Sequence, residues 1–290
     1  MSHSKDYSIS LIRFIAFFSI VFCHIFQYLD IELAWWLNVG VQVFLCISGY
    51  LYSMKSSFND ISFYIKQVLK ILIPYYIVVI PMLVIHILFN GSNLGITTII
   101  KVLLFNDTLD GGGHLWFIST ILFCYLITPF LSRYFDYCYK ENSYRLLFGV
   151  AILICLNIML LELFIPYLSP VSIICYILGF LLGYCNRVHA VKILGVSKSI
   201  IYVLALFNLP QIYLQYFTDH VFTGTLESVW NLFCNFNHVW LGLVIFIIVH
   251  DIFSKNVIKG NWIIRILDVS DKYSYDGYLV HQFLILGPFR

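Results

Sequence analysis

The chain has 290 residues, of which 61% are hydrophobic and 11% charged, and its mean hydropathy is +0.88. An ordinary soluble domain is about 25% charged, so a soluble fold of this length is excluded: it has no means of hiding that much apolar surface. The formal net charge of +2 hides a sided distribution, and nucleic-acid binding is a poor reading of the cationic residues because membrane orientation already accounts for them.

Apolar stretches lie near 9–29, 36–54, 68–89, 115–132, 146–165, 170–185, 199–217, 238–253 and 273 to the end. A helix needs roughly 17–25 such residues to cross the hydrocarbon layer, so the pattern predicts an all-α, polytopic transmembrane helical bundle with nine helices visible. No low-complexity tract or soluble-domain-sized polar stretch divides the chain, and a single domain over residues 1–290 is expected.

The first stretch is too long for a signal peptide, contains Arg13 and is followed by no small-residue cleavage site, so it is expected to stay in the mature protein. It also carries His24, eleven residues after Arg13. At 100° and 1.5 Å per residue the two side chains fall within about 20° on one helix face and about 16 Å apart along the axis. They share a face without touching. In one reading Arg13 snorkels to headgroups and His24 bonds a neighbouring helix. In the other they line one cavity, where neutral imidazole, with an ordinary pKa of about 6.5, accepts a hydroxyl proton and the planar guanidinium meets phosphate.

In the second stretch, Ser48-Gly49 reads as close helix packing by small residues rather than as a nucleophilic serine, since no triad partner is visible. Trp35, Trp36 and Trp116 sit near expected interfaces, where an aromatic belt explains them. Lys66 precedes the third stretch and Lys70 lies in its first turn, and both serve either as positive-inside anchors or as phosphate ligands. His114 follows Gly111-Gly112-Gly113, a connection entering a helix, and reads equally as a solvated loop histidine or as a contact to substrate. His281 lies in apolar sequence, where structural hydrogen bonding is the first expectation. Cys23, Cys46, Cys124, Cys155 and Cys175 lie within apolar helices at no metal-ligand spacing and read as small buried hydrophobes, with no metal site expected.

Cationic loops remain in the cytoplasm far more often than they cross. With the amino terminus inside, Lys5, Lys55, Lys66, Lys70, Arg133, Lys140, Arg145, Arg187, Lys192, Lys198, Lys255, Lys259, Arg265 and Lys272 all fall on the inner side, and only Lys101 falls in an outer loop. Asp30, Glu32, Asp107, Asp110, Asp219 and Glu227 fall outside. One alternating topology satisfies every loop.

Four ordered motifs then carry a resemblance. Leu11-Ile12-Arg13 through Phe22-Cys23-His24 comes first, and Gly40-Val41-Gln42-Val43-Phe44 with Ile47-Ser48-Gly49-Tyr50 follows. His114-Leu115-Trp116-Phe117-Ile118 precedes Tyr125 and Pro129, and Ser274-Tyr275 with Tyr278-Leu279-Val280-His281 completes the set. Over nearly its whole length the chain resembles the membrane acyltransferase-3 family, whose members move acyl groups, most often acetyl, onto sugars of surface polysaccharides and related acceptors. The resemblance implies a multi-pass O-acyltransferase of the bacterial cytoplasmic (inner) membrane, with a cytoplasmic amino terminus. Acetyl-coenzyme A is the expected donor, with no permanently bound cofactor, and a surface saccharide or lipid-linked glycan is the expected acceptor.

His24 and Arg13 are the expected catalytic residues. Arg13, Lys66 and Lys70 are expected on the donor's phosphates, and His114, Trp116 and His281 near the acceptor. The family's Arg-x-x-Arg element before an apolar-Pro step is altered to Lys66-Gln67-Val68-Leu69-Lys70, which replaces bidentate forks by point charges. A further helix normally follows the last motif, so the sequence leads one to expect ten helices in the complete protein, the last of them missing here. A transporter or exporter of a glycan or acylated metabolite is the rival reading, disfavoured because no internal repeat is visible.

Overall fold

The computed structural model describes residues 5–55, 58, 60–89, 95–105, 109, 111–141, 143–164, 168–218, 222–254 and 260–287. Lys255, Lys259, Asp107, Asp110 and Asp219, used above for orientation, lie outside the described residues. The helices are α1 (Tyr7–Tyr28), α2 (Ala34–Leu37), α3 (Gly40–Ser53), α4 (Asp60–Phe89), α5 (Ile96–Leu103), α6 (Trp116–Glu141), α7 (Ser143–Phe164), α8 (Pro170–Arg187), α9 (Val191–Ala205), α10 (Asn208–Tyr216), α11 (Thr225–Phe253) and α12 (Asn261–Leu286). A 3-10 turn, Gly113–Leu115, leads into α6. No strand occurs among the described residues.

Among the described residues each expected apolar stretch lies on a helix or a pair of helices, and seven helical stretches are long and apolar enough to cross a bilayer. The two others are informative. In α7 the apolar part is the shorter run Tyr144–Met159, while α12 carries Arg265, Asp268, Asp271, Lys272 and Asp276 in its first two-thirds. Hydropathy ends where charge begins, whereas backbone hydrogen bonding does not, so α4, α11 and α12 start well before the apolar runs that announce them. The stretch at 199–217 divides into α9 and α10 because Pro210 has no N–H to donate and its ring would clash with the carbonyl of Leu206 in a continuous helix.

Local sequence explains the helix starts. The Asp6 carboxylate accepts from the Ser8 backbone N–H at 2.9 Å and begins α1, and Ser169 caps α8 directly before Pro170. One face of α4 exposes Leu69, Ile73, Ile77, Ile80, Val84 and Ile87, while the opposite face buries Ile71, Tyr75, Val79 and Leu83. Two apolar faces on one helix suit a bilayer on one side and protein on the other.

At the centre, α8 is buried from Val171 to Cys185 and runs parallel to α3. Glycines set that approach: a Cβ at Gly49 would fall on the Tyr176 carbonyl oxygen, and one at Gly179 on that of Cys46. Without a hydrophobic effect between helices in lipid, such small-residue contacts are what hold them together. Gly179→Val should therefore destabilise the bundle by at least the roughly 1–3 kcal/mol typical of overpacking. A thermal unfolding midpoint in detergent equal to that of the unaltered chain would disprove this packing.

Charged residues gather at the end of the bundle where α1 begins. There Arg187 pairs with Asp136 at 3.1 Å, Lys198 with Asp251 at 2.6 Å, and Arg133 with Asp60. Helices joined this way alternate in direction, so α1 and α12 run side by side in the same sense.

Candidate active site

The parallel run of α1 and α12 builds the site. Arg13 Nη1 meets Asp271 Oδ1 at 2.5 Å, Ser10 Oγ donates to Asp271 Oδ2 at 2.6 Å, and Lys5 Nζ lies 2.7 Å from that same oxygen. Asp271 thus ties the first turns of α1 to α12 by three contacts. Charges removed from bulk water need such partners, because an unpaired one costs several kcal/mol.

Above this pair lies a cavity of about 330 Å³ lined by Arg13, Ser48, Lys70, Tyr125, Asp271 and Tyr275, among others. Tyr275 Oη donates to the Ile71 carbonyl at 2.9 Å, which fixes α12 against α4. Ser48 faces the cavity and is bonded to Tyr125, so the expected small-residue packing is carried by its neighbour Gly49 alone.

The far wall of the cavity consists of Ile20, Phe117 and Tyr278. One helical turn beyond each of them stands a histidine: His24 on α1, His114 ahead of α6 and His281 on α12. Ring centroids are 5.0 Å apart for His24 and His281, 5.0 Å for His114 and His281, and 6.4 Å for His24 and His114. All three are buried. His114 is held there by its loop, since Gly111 at φ +74° lets the chain turn against Gly287. Gln282 Oε1 then accepts from the His114 backbone N–H at 2.8 Å, and Tyr278 Oη donates to the His114 carbonyl at 2.6 Å.

Hydrogen bonds fix where each ring carries its proton when neutral. His24 Nδ1 donates to Gln27 Oε1 at 2.6 Å, His281 Nδ1 to the Tyr278 carbonyl at 2.6 Å, and His114 Nε2 to the Leu279 carbonyl at 3.2 Å. The remaining nitrogens, His24 Nε2, His281 Nε2 and His114 Nδ1, are lone-pair acceptors. Those of His281 and His114 are buried without a partner, which calls for a hydroxyl or water proton. No group of three or more His, Cys, Asp or Glu side chains is arranged to hold a metal ion among the described residues.

Of the residues singled out in the sequence, Arg13 and Lys70 line the cavity, and His24, His114 and His281 meet beyond it. His114 is therefore a buried residue rather than a solvated loop histidine. Lys66 is exposed one turn before Lys70 and does not line the cavity. Trp116 stays outside as well, its ring against Phe117 and its carbonyl accepting from Ser119. Among the cysteines, Cys155 is exposed, whereas Cys23, Cys46, Cys124 and Cys175 are buried. Asp271, Tyr278 and Gln282 were not singled out as site residues. A signal for Asp271 existed: it precedes His281 by ten residues as Arg13 precedes His24 by eleven, so two parallel helices repeat one axial separation of about 15–16 Å.

These features define an integral membrane protein with a charged cavity and a histidine cluster enclosed by its helices. Residues 6–288 match the family model described as an acyltransferase domain, and the chain belongs to that family, the membrane acyltransferase-3 family. It is a membrane acyltransferase. No curated protein and no solved structure matches the chain.

Proposed function

We propose that the protein is an O-acetyltransferase of the bacterial inner membrane, taking acetyl from acetyl-coenzyme A to a hydroxyl of a surface saccharide or lipid-linked glycan. The observation that carries this is the histidine cluster, whose free lone pairs all lie one turn beyond a cation-lined cavity. His24 Nε2 removes the acceptor's hydroxyl proton as that oxygen attacks the thioester carbonyl. The C–S bond breaks, and the proton leaves with the coenzyme A sulfur. His114 Nδ1 and His281 Nε2 accept from neighbouring acceptor hydroxyls and orient the sugar. Arg13 and Lys70 favour the donor's phosphates, Lys66 guides it from the surface, and Trp116 flanks the acceptor route.

The amino terminus faces the cytoplasm in this reading, which puts the paired charges and the donor at that end. Family membership favours acyl transfer over glycan export. Purified protein in nanodiscs, given acetyl-labelled coenzyme A and the host's surface saccharide, should move the label onto a saccharide hydroxyl. Failure of any saccharide to take up label, with unlabelled glycan crossing a vesicle bilayer instead, would rule the reading out in favour of an exporter.

A further inference from the structure

A second, larger cavity lies on the membrane-facing side of the same helices. It measures about 860 Å³, which is the size of a ligand site rather than a packing defect. Phe14, Phe17 and Phe18 of α1, Ile77 and Val78 of α4, and Ile266, Val269 and Val280 of α12 give it an apolar lining. It extends along α12 from Arg265 to Val280, about 22 Å at 1.5 Å per residue. Bulk lipid alone would account for an apolar surface at this depth, but three features go further.

First, Pro74, Ser274 and Asp276 line both this groove and the inner cavity that holds Arg13, so the membrane-facing space and the reaction space share a wall. Second, neither Arg265 nor Asp276 forms an ion pair or side-chain hydrogen bond among the described residues. They stand eleven residues apart on one face of α12, a cation toward the charged end and a carboxylate at the shared wall. Third, Ser270 Oγ, between them along the groove, is buried with no partner. Asp276, within the apolar stretch, and the buried Ser270 Oγ are polar groups left unpartnered beside lipid, which marks a place where another molecule completes them, and Arg265 stands at the charged inner end of the same groove.

We infer that this groove holds the hydrocarbon chain of a membrane-anchored acceptor, a saccharide carried on a lipid phosphate. Arg265 pairs with the phosphate, and the sugar passes the Pro74–Ser274–Asp276 wall, where the carboxylate accepts from sugar hydroxyls, into the inner cavity. The chain in the groove limits how the head can present itself, so one hydroxyl reaches His24. This rests on the acceptor half of the proposed function and selects the lipid-linked member of the class.

Binding can be read without catalysis. Dodecyl phosphate with a diazirine in its chain, placed in phosphatidylcholine nanodiscs with the full-length chain, should label peptides of α1 and α12 that line the groove. An isoprenyl phosphate should displace it, while excess phosphatidylcholine should not. Val269→Trp fills the groove from a position outside the inner cavity and should lower that labelling about tenfold, the effect of roughly 1.4 kcal/mol of overpacking. Arg265→Gln should weaken the phosphate probe but not the corresponding dodecanol probe.

Labelling spread evenly over other lipid-facing residues such as Ile80 and Val84, or unchanged in Val269→Trp, would mean bulk lipid only and overturn the inference. In the second arm, Val269→Trp should lose about tenfold in kcat/KM for an isoprenyl-phosphate-linked saccharide and nothing for the same saccharide without its anchor. Equal transfer to both acceptors by both proteins would remove the groove while leaving acyl transfer intact. Specific labelling without acyl transfer to any acceptor would keep the groove and remove the proposed chemistry.

Discussion

His24→Ala is expected to lower the rate of acyl transfer by roughly 10²–10⁴-fold, the range that a positioned general base contributes, with little change in the donor's KM. Burial and the bond from Nδ1 to Gln27 hold one tautomer, and the lone pair on Nε2 is the group removed by the substitution. His24→Gln restores polarity and most of the volume without an efficient proton acceptor, so it should remain close to the alanine variant. Gln27→Leu should have a smaller effect of the same kind, because the imidazole survives while its tautomer is no longer fixed. Single-turnover transfer of labelled acetyl in nanodiscs, with detergent melting as a folding control, measures all three. If His24→Ala folds and transfers acetyl at the unaltered rate, the base lies elsewhere and the cluster serves structure alone.

The lipid-spanning framework was legible in the sequence because its cause is local: runs without charge, bounded by cationic loops, need only a bilayer to become helices. The Arg13–His24 face was legible for a similar reason, since both residues belong to one helix and helical geometry fixes their relation. Contacts between helices were not. His114 looked like a loop residue because its burial depends on Gly111 folding the chain against Gly287, more than 170 residues away. Asp271 looked like part of a polar connection because hydropathy begins α12 near residue 273, whereas the helix begins at Asn261. Trp116 and Lys66 show the reverse case: a motif neighbour or a helical neighbour of a cavity residue need not line the cavity itself.

The Asp271 carboxylate should matter nearly as much as the histidine, but through different measurements. Asp271→Asn keeps the side-chain shape and an acceptor for Ser10, while it removes the charge that faces Arg13 and Lys5. Breaking a buried pair costs about 3–5 kcal/mol. Arg13 is 23% exposed and Asp271 14% exposed, so solvent and headgroups relieve part of that and a loss of about 3 kcal/mol is expected. Arg13→Gln leaves Asp271 still paired to Lys5 and should destabilise less, yet it removes the fork proposed for the donor and should raise the donor's KM. The double variant should be less destabilised than the sum of the two, with a coupling energy of roughly 1–3 kcal/mol.

Kinetics then separate the roles of the pair. Should Asp271 orient Arg13 for the donor, Asp271→Asn raises KM as Arg13→Gln does, and the double variant adds no further rise. Should Asp271 instead compete with the donor's phosphates for the guanidinium, its removal lowers KM although stability falls. The three-contact geometry of Asp271, tied to α1 at Lys5, Ser10 and Arg13 together, favours orientation, because a carboxylate so held has little freedom to withdraw when phosphate arrives. An unaltered donor KM in all three variants would take Arg13 out of donor binding and leave the pair as the tie between α1 and α12.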